Sequence, residues 1–189
     1  MSIYEIIAVI FGLICVWLTV RQNIWCWPAG LVSVFFYIIV FYKVKLYADM
    51  GLQVVYIALQ IYGWHQWLHG GKNRGELNVS RSSVKLNALL IAIAFAGTAS
   101  MGYMLSTRTD AALPYWDSAT TVMSLIAQWM MAKKYLQCWM VWIIVDVVSI
   151  GIYLNKELYL TTVLYAAFLM LATLGYMEWK KSFKSLQPA

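Results

Sequence analysis

Seven stretches of almost unbroken apolar character divide the chain, each closed by a short polar break: near Tyr4–Val20, Trp27–Tyr42, Tyr47–Trp67, Val84–Leu105, Trp116–Ala132, Cys138–Leu154 and Leu158–Trp179. A bilayer core about 30 Å thick accommodates roughly 17–25 apolar residues as a helix. The pattern therefore predicts an all-α membrane protein with seven transmembrane helices, several at the short end of that range. Three spans are not uniformly apolar. Polar residues recur in them at steps of three and four, which gathers them on one helical face. The sixth span presents Trp139, Trp142, Asp146, Ser149 and Tyr153, the third Gln53, Tyr56, Gln60, Gly63 and Trp67, and the fifth Asp117, Thr121, Ser124 and Gln128.

Displacing the chain along itself by 112 positions, with no gap, lays Trp17 on Trp129, Cys26-Trp27 on Cys138-Trp139, Leu46-Tyr47 on Leu158-Tyr159, Gly63 on Gly175 and Trp67 on Trp179. Arg21 falls on Lys133 and Glu5 on Asp117. Apolar coincidences are common in a membrane protein, so the weight rests on the tryptophans, the cysteine and the charges, which mark an internal duplication. Each copy holds three spans and ends on the face opposite its start; the single span between them returns the chain. The expected plan is 3+1+3: residues 4–67 form a first triple-helix repeat, 84–105 an inverting linker helix and 116–179 a second repeat parallel to the first. Two such copies are related by an axis along the membrane normal, and cargo in repeat-built transporters sits near the midplane at the repeat interface.

Composition agrees with the hydropathy. The chain is 62% hydrophobic and 12% charged, with a mean hydropathy of +0.68, too little polar character to cover a water-soluble globule. Its net charge of +6 does not point to nucleic acid, because the basic residues sit in loops that flank the spans. Ten of the fourteen (Arg21, Lys72, Arg74, Arg81, Lys85, Lys133, Lys134, Lys180, Lys181 and Lys184) fall on one side. That side is cytoplasmic by the positive-inside rule, leaving the N-terminus outside and the C-terminus inside. The first span carries Glu5 where a signal peptide has a basic flank, and it lacks a small-residue cleavage site, so it is expected to be retained. Cys15, Cys26 and Cys138 have no metal or redox spacing and read as small apolar residues.

Asp146 is the residue that demands an explanation. A carboxylate at mid-bilayer costs about 2.5–3.5 kcal/mol on insertion scales and so faces protein or a water-filled cavity. Beside Trp139 and Trp142 it forms a receptor for a flat organic cation, by stacking and cation–π attraction on the rings and Coulomb attraction to the acid. The competing reading is an aspartate that hydrogen-bonds a neighbouring helix. The amides of Gln53 and Gln60 both donate and accept, which suits the carbonyl, amine and hydroxyl groups of a ligand. On the fifth span, small polar residues serve equally well to bring helices close together.

Other chemistry is poorly supported. His65 and His69 stand one turn apart but lack a third ligand, so no metal site is expected. The segment HGGKNRGE lacks the spacing of a phosphate loop. No nucleophile with a base, or cluster of ligands at one depth, suggests an enzyme, and no cofactor is implied. The last span has no lysine for a retinal Schiff base between Tyr159 and Tyr176, which leaves a membrane-embedded ligand sensor as the rival of another class.

The run KKYLQCWMVWIIVDVVSI with its W-x-x-W-x-x-x-D core, PYWDS at Pro114–Ser118, and LYADMGLQ…LQIYGWHQW from Leu46 to Trp67 together resemble the PnuC family of bacterial vitamin transporters, nearly end to end. The resemblance implies a 3+1+3 fold similar to full-length SWEET sugar transporters, placed in the inner membrane. It also implies uptake of nicotinamide riboside by facilitated diffusion, with trapping by a cytosolic kinase that need not touch the transporter, and assembly as a homotrimer. Relatives carry thiamine, riboflavin or deoxynucleosides. Carried onto this chain, the family's cargo motif falls on Trp139, Trp142, Asp146, Gln53 and Gln60; Tyr56 and Ser149, which share those helical faces, and Ser33 join them as candidate lining residues. Nicotinamide riboside transporters tend to have asparagine where this chain has Ser33, Gln60 and Asp146. Nicotinamide riboside and thiamine both carry a fixed positive ring, so thiamine stands as the alternative cargo.

Overall fold

The computed structural model describes residues 2–43, 45, 47–109 and 113–186. Leu46, which belongs to one matched pair of the repeat and opens the LYADMGLQ motif, lies outside the described residues. Among the described residues, seven α-helices follow one another: α1 Ile3–Val20, α2 Cys26–Lys43, α3 Tyr47–His69, α4 Val84–Arg108, α5 Pro114–Ala132, α6 Cys138–Asn155 and α7 Tyr159–Ser185. A 3-10 turn, Lys72–Arg74, interrupts the long α3–α4 connection. Among the described residues there is no strand, only an isolated bridge between Ser80 and Tyr135.

Each predicted span is a helix. α5 begins two residues earlier than expected, at Pro114, because proline is well suited to the first helical turn. α7 outruns its apolar stretch: hydropathy stops at Trp179, but Lys180, Lys181 and Lys184 are good helix formers, and Glu178 accepts a 3.0 Å hydrogen bond from Lys181. Among the described residues, five of the seven helices are long and apolar enough to cross a bilayer by length and composition alone. α3 and α5 are more polar, and they are the helices that carry the glutamine stripe and the Asp117–Gln128 stripe. Glu5, a lone acid in the first span, completes a capping box: its amide donates to Ser2 Oγ at 3.2 Å and its carboxylate accepts from the Ser2 amide at 3.3 Å.

The offset of 112 positions carries into the backbone. α1 and α5 end at Val20 and Ala132, α2 and α6 run Cys26–Lys43 and Cys138–Asn155, and α3 and α7 begin at Tyr47 and Tyr159, each pair 112 apart. The turns match too. Gln22 and Lys134 have φ of 55° and 51°, and Lys45 and Glu157 have φ of 60° and 57°. Asn23 N donates to Leu18 O at 2.9 Å, as Tyr135 N donates to Met130 O at 3.0 Å. This left-handed residue with its long-reaching amide is a Schellman stop, here built without the usual glycine.

The chain divides into two compact units. Unit 1 comprises residues 1–79, 132–134 and 177–189, and unit 2 comprises 80–131 and 135–176. In unit 1, α1 packs on α2 and α2 on α3. Trp27, Trp67 and Trp179 are buried there. The Trp27 and Trp67 rings meet edge to face at 5.3 Å, the Trp67 and Trp179 centroids lie 5.8 Å apart, and Trp179 Nε1 donates to Thr19 O at 3.0 Å. Lys134 covers this cluster, with its ammonium 4.3 Å from the Trp67 centroid and donating to Leu77 O at 2.8 Å. In unit 2, residues 80–82 lie along the turn before α6. Leu136 N donates to Ser80 O at 2.9 Å, Ser82 N to Gln137 Oε1 at 3.1 Å and Gln137 Nε2 to Ser82 O at 3.4 Å.

Candidate cargo site

α6 is sharply two-faced. Met140, Ile144, Val147 and Leu154 are exposed, whereas Trp139, Val145, Asp146, Ser149 and Ile152 are buried. The acid therefore points away from lipid, as the insertion cost of a charge requires. Asp146 is 3% exposed, and no donor or cation among the described residues bonds its carboxylate. One turn earlier, the buried Trp142 Nε1 has no hydrogen-bond acceptor among the described residues. Trp139 is fully buried against Gly175: a Cβ on that glycine would stand 2.6 Å from Trp139 Cε2. Ser149 is buried one further turn along the same face. Unit 2 thus brings Trp139, Trp142, Asp146 and Ser149 onto one inward face.

The other predicted residues belong to unit 1. Gln60 is 6% exposed, and its amide lies against the bare Cα of Gly30, where an added Cβ would come within 2.8 Å of Oε1. That Oε1 has no donor among the described residues. Gln53 and Tyr56, seven and four residues earlier on α3, are half-buried. Ser33 is buried, and its hydroxyl donates to Ala8 O at 2.7 Å, which ties α2 to α1 and leaves only its lone pairs for a ligand. Thr19 likewise turns inward, donating to Cys15 O at 2.8 Å.

Sequence reasoning missed Trp27. It is buried in unit 1 with an unpartnered Nε1 and packs against Gly63, where a Cβ would lie 2.6 Å from Cζ2. The offset held the signal, since Trp27 and Gly63 fall on Trp139 and Gly175. On α5, Gln128 is buried, while Asp117 pairs with Lys156 at 3.7 Å and is more than a third exposed. The His65 and His69 rings lie 4.9 Å apart on the exposed face of α3. Among the described residues no group of three or more metal-ligating side chains exists.

Among the described residues, apolar helices bury an unpartnered acid and indole in unit 2 and an unpartnered indole and amide oxygen in unit 1; such helices have the makings of a membrane transporter, and comparison with known proteins gives the same class. Residues 2–181 match the family described as nicotinamide mononucleotide transporter, and the chain belongs to this family, the PnuC family. It is 28% identical to the nicotinamide riboside transporter PnuC of Escherichia coli, across 96% of this chain and 87% of the relative. It is 30% identical to the nicotinamide riboside transporter PnuC of Neisseria mucosa, across 94% and 72%. It is 25% identical to the riboflavin/roseoflavin transporter RibM of Streptomyces davaonensis, across 93% and 83%. A crystal structure of the vitamin B3 transporter PnuC superimposes with a TM-score of 0.77 at 26% identity, covering 97% of this chain and 83% of that one. The protein is accordingly a multi-pass membrane transporter and not an enzyme.

Proposed function

We propose that the chain takes up a small cationic vitamin or vitamin precursor across the inner membrane, with nicotinamide riboside first among the cargoes. The single observation that carries this reading is Asp146, a buried carboxylate with no partner among the described residues, on the same face as Trp139 and Trp142. In a low-dielectric setting an unpaired acid is strongly unfavourable, and a cargo with a fixed positive ring relieves it. The ring stacks on the indoles while the carboxylate balances its charge. Trp142 Nε1 and Ser149 offer hydrogen bonds on the same face. Within unit 1, Gln53, Tyr56, Gln60 and the lone pairs of Ser33 are groups of the kind that serve the amide and hydroxyl groups of such a cargo. Two of the named relatives are nicotinamide riboside transporters, which supports the ranking. Thiamine is the second reading, favoured by a carboxylate at position 146, which suits any cationic heterocycle.

Calorimetry of the purified protein against nicotinamide riboside, thiamine and riboflavin tests the proposal. Asp146→Asn is expected to weaken binding of the cationic cargo about tenfold, equivalent to about 1.4 kcal/mol. Unchanged affinity would remove Asp146 from the site. Binding without uptake would point to a sensor. The proposed mechanism is facilitated diffusion with trapping by a cytosolic kinase, so uptake into vesicles should survive an ionophore; its loss there would require ion coupling. The shared helix boundaries and turns support two parallel repeats, residues 4–67 and 116–179, around the inverting helix 84–105 in the SWEET-like 3+1+3 plan. The homotrimer follows from the family resemblance, and light scattering of the detergent-solubilised protein checks it.

A further inference from the structure

A second site is built away from the Asp146 face. In unit 2 a cavity of about 220 Å³ is lined by Arg81, Leu136, Gln137, Met140 and Tyr176. Its construction is asymmetric. Arg81 sits between Ser80 and Ser82, whose backbones are tied to Leu136 and Gln137 by the three hydrogen bonds that hold residues 80–82 along the turn. Ser82 is buried and Arg81 is not, as alternation along an extended segment requires. The guanidinium is thereby anchored at its base without being sealed from solvent. Met140, which also lines the cavity, belongs to the exposed apolar face of α6, the face that a membrane helix turns to lipid. Tyr176 lies where the apolar stretch of α7 gives way to Glu178, Lys180 and Lys181, which is the depth of the headgroups. None of the lining residues is acidic.

A planar cation with five donors, an apolar wall continuous with the acyl region, and a tyrosine at headgroup depth match one ligand chemistry. Arginine recognises phosphate oxygens in a fork of parallel hydrogen bonds, and basic pockets between membrane helices hold anionic headgroups. We propose that this cavity binds the phosphodiester of an anionic phospholipid, with its acyl chains running past Met140. The bound lipid bridges the residue 80–82 segment to α6 and α7, and so steadies the connection into α4. This inference does not depend on which vitamin is carried.

Native mass spectrometry of the full chain, exchanged into mixed phosphatidylglycerol and phosphatidylcholine, provides the test. The unmodified protein is expected to retain phosphatidylglycerol preferentially. Arg81→Gln should lower that retention about fivefold, the worth of one interfacial cation. Arg81→Lys, which keeps the charge and loses the fork, should fall between the two. Lys85→Gln, outside the cavity, should leave retention unchanged. Equal retention of the two lipids, no loss in Arg81→Gln, or an equal loss in Lys85→Gln overturns the proposal. Displacement of the lipid by millimolar inorganic phosphate would overturn the lipid assignment in favour of a soluble anion.

Discussion

Two glycines set the shape of the aromatic pockets. Gly63 and Gly175 each accept an indole edge where a methyl group would collide, with Trp27 and Trp139 respectively. Both rings are buried and close-packed, so the collision has no easy relief. Gly63→Ala and Gly175→Ala are each expected to cost about 1–3 kcal/mol by overpacking, read as a lower melting temperature in detergent. Trp142→Phe is the gentler probe of cargo binding, because it keeps one stacking ring while removing the N–H and the rest of the indole. Calorimetry should show affinity reduced by at least about 0.5–1.5 kcal/mol, the net worth of the hydrogen bond alone. Asp146 was legible from the sequence because an acid stands out in an apolar run, and the step of three and four told which residues share its face. Trp27 was hidden because its neighbours Trp25 and Cys26 are as apolar as it is. Ser33 shows the opposite limit: residue type does not reveal that its hydroxyl already serves Ala8 O.

At the scale of elements, the helix stops at Gln22 and Lys134 have the same backbone but opposite expectations. Both residues are left-handed, which costs a side chain about 1–2 kcal/mol relative to glycine before glycine's extra chain entropy is counted. Gln22→Gly is therefore expected to stabilise the protein by up to about 1 kcal/mol. Lys134→Gly should instead destabilise it by about 1 kcal/mol, since the ammonium on Leu77 O and the Trp67 face would be lost. Thermal melts of the two variants side by side distinguish backbone relief from side-chain anchoring. Burial also holds the Lys134 ammonium below its ordinary value of 10.5, with the charge of Glu76 opposing. The unfolded chain then binds that proton more tightly than the folded chain, so stability rises as pH climbs from the lowered pKa towards 10.5. Melting temperatures recorded through the alkaline range should lose this rise in Lys134→Met. Helix positions were readable because each apolar run is bounded by charge. The attachment of residues 80–82 was not, since a polar connection without periodicity gives no hint of what its backbone bonds.

For the molecule as a whole, the distribution of lysine and arginine makes a directional prediction. Fluorescent-protein fusions should be bright at the C-terminus and dark at the N-terminus, with the reverse pattern contradicting the charge rule. The all-helical class, the number of helices and the family were recoverable from hydropathy, repeat and motifs. Membership of the two units was not, because it depends on contacts far apart in the chain: residues 177–189 group with residues 1–79, though most of α7 groups with α4 and α6. The bond from Trp179 Nε1 to Thr19 O joins positions 160 residues apart. At a synthesis rate of roughly 5–20 residues per second, α1 waits on the order of ten seconds or more for the indole that closes over it. During that interval the nascent chain has Thr19 O without its final donor. Any clone that stops short of Trp179 would leave its opening helix permanently in that unfinished condition.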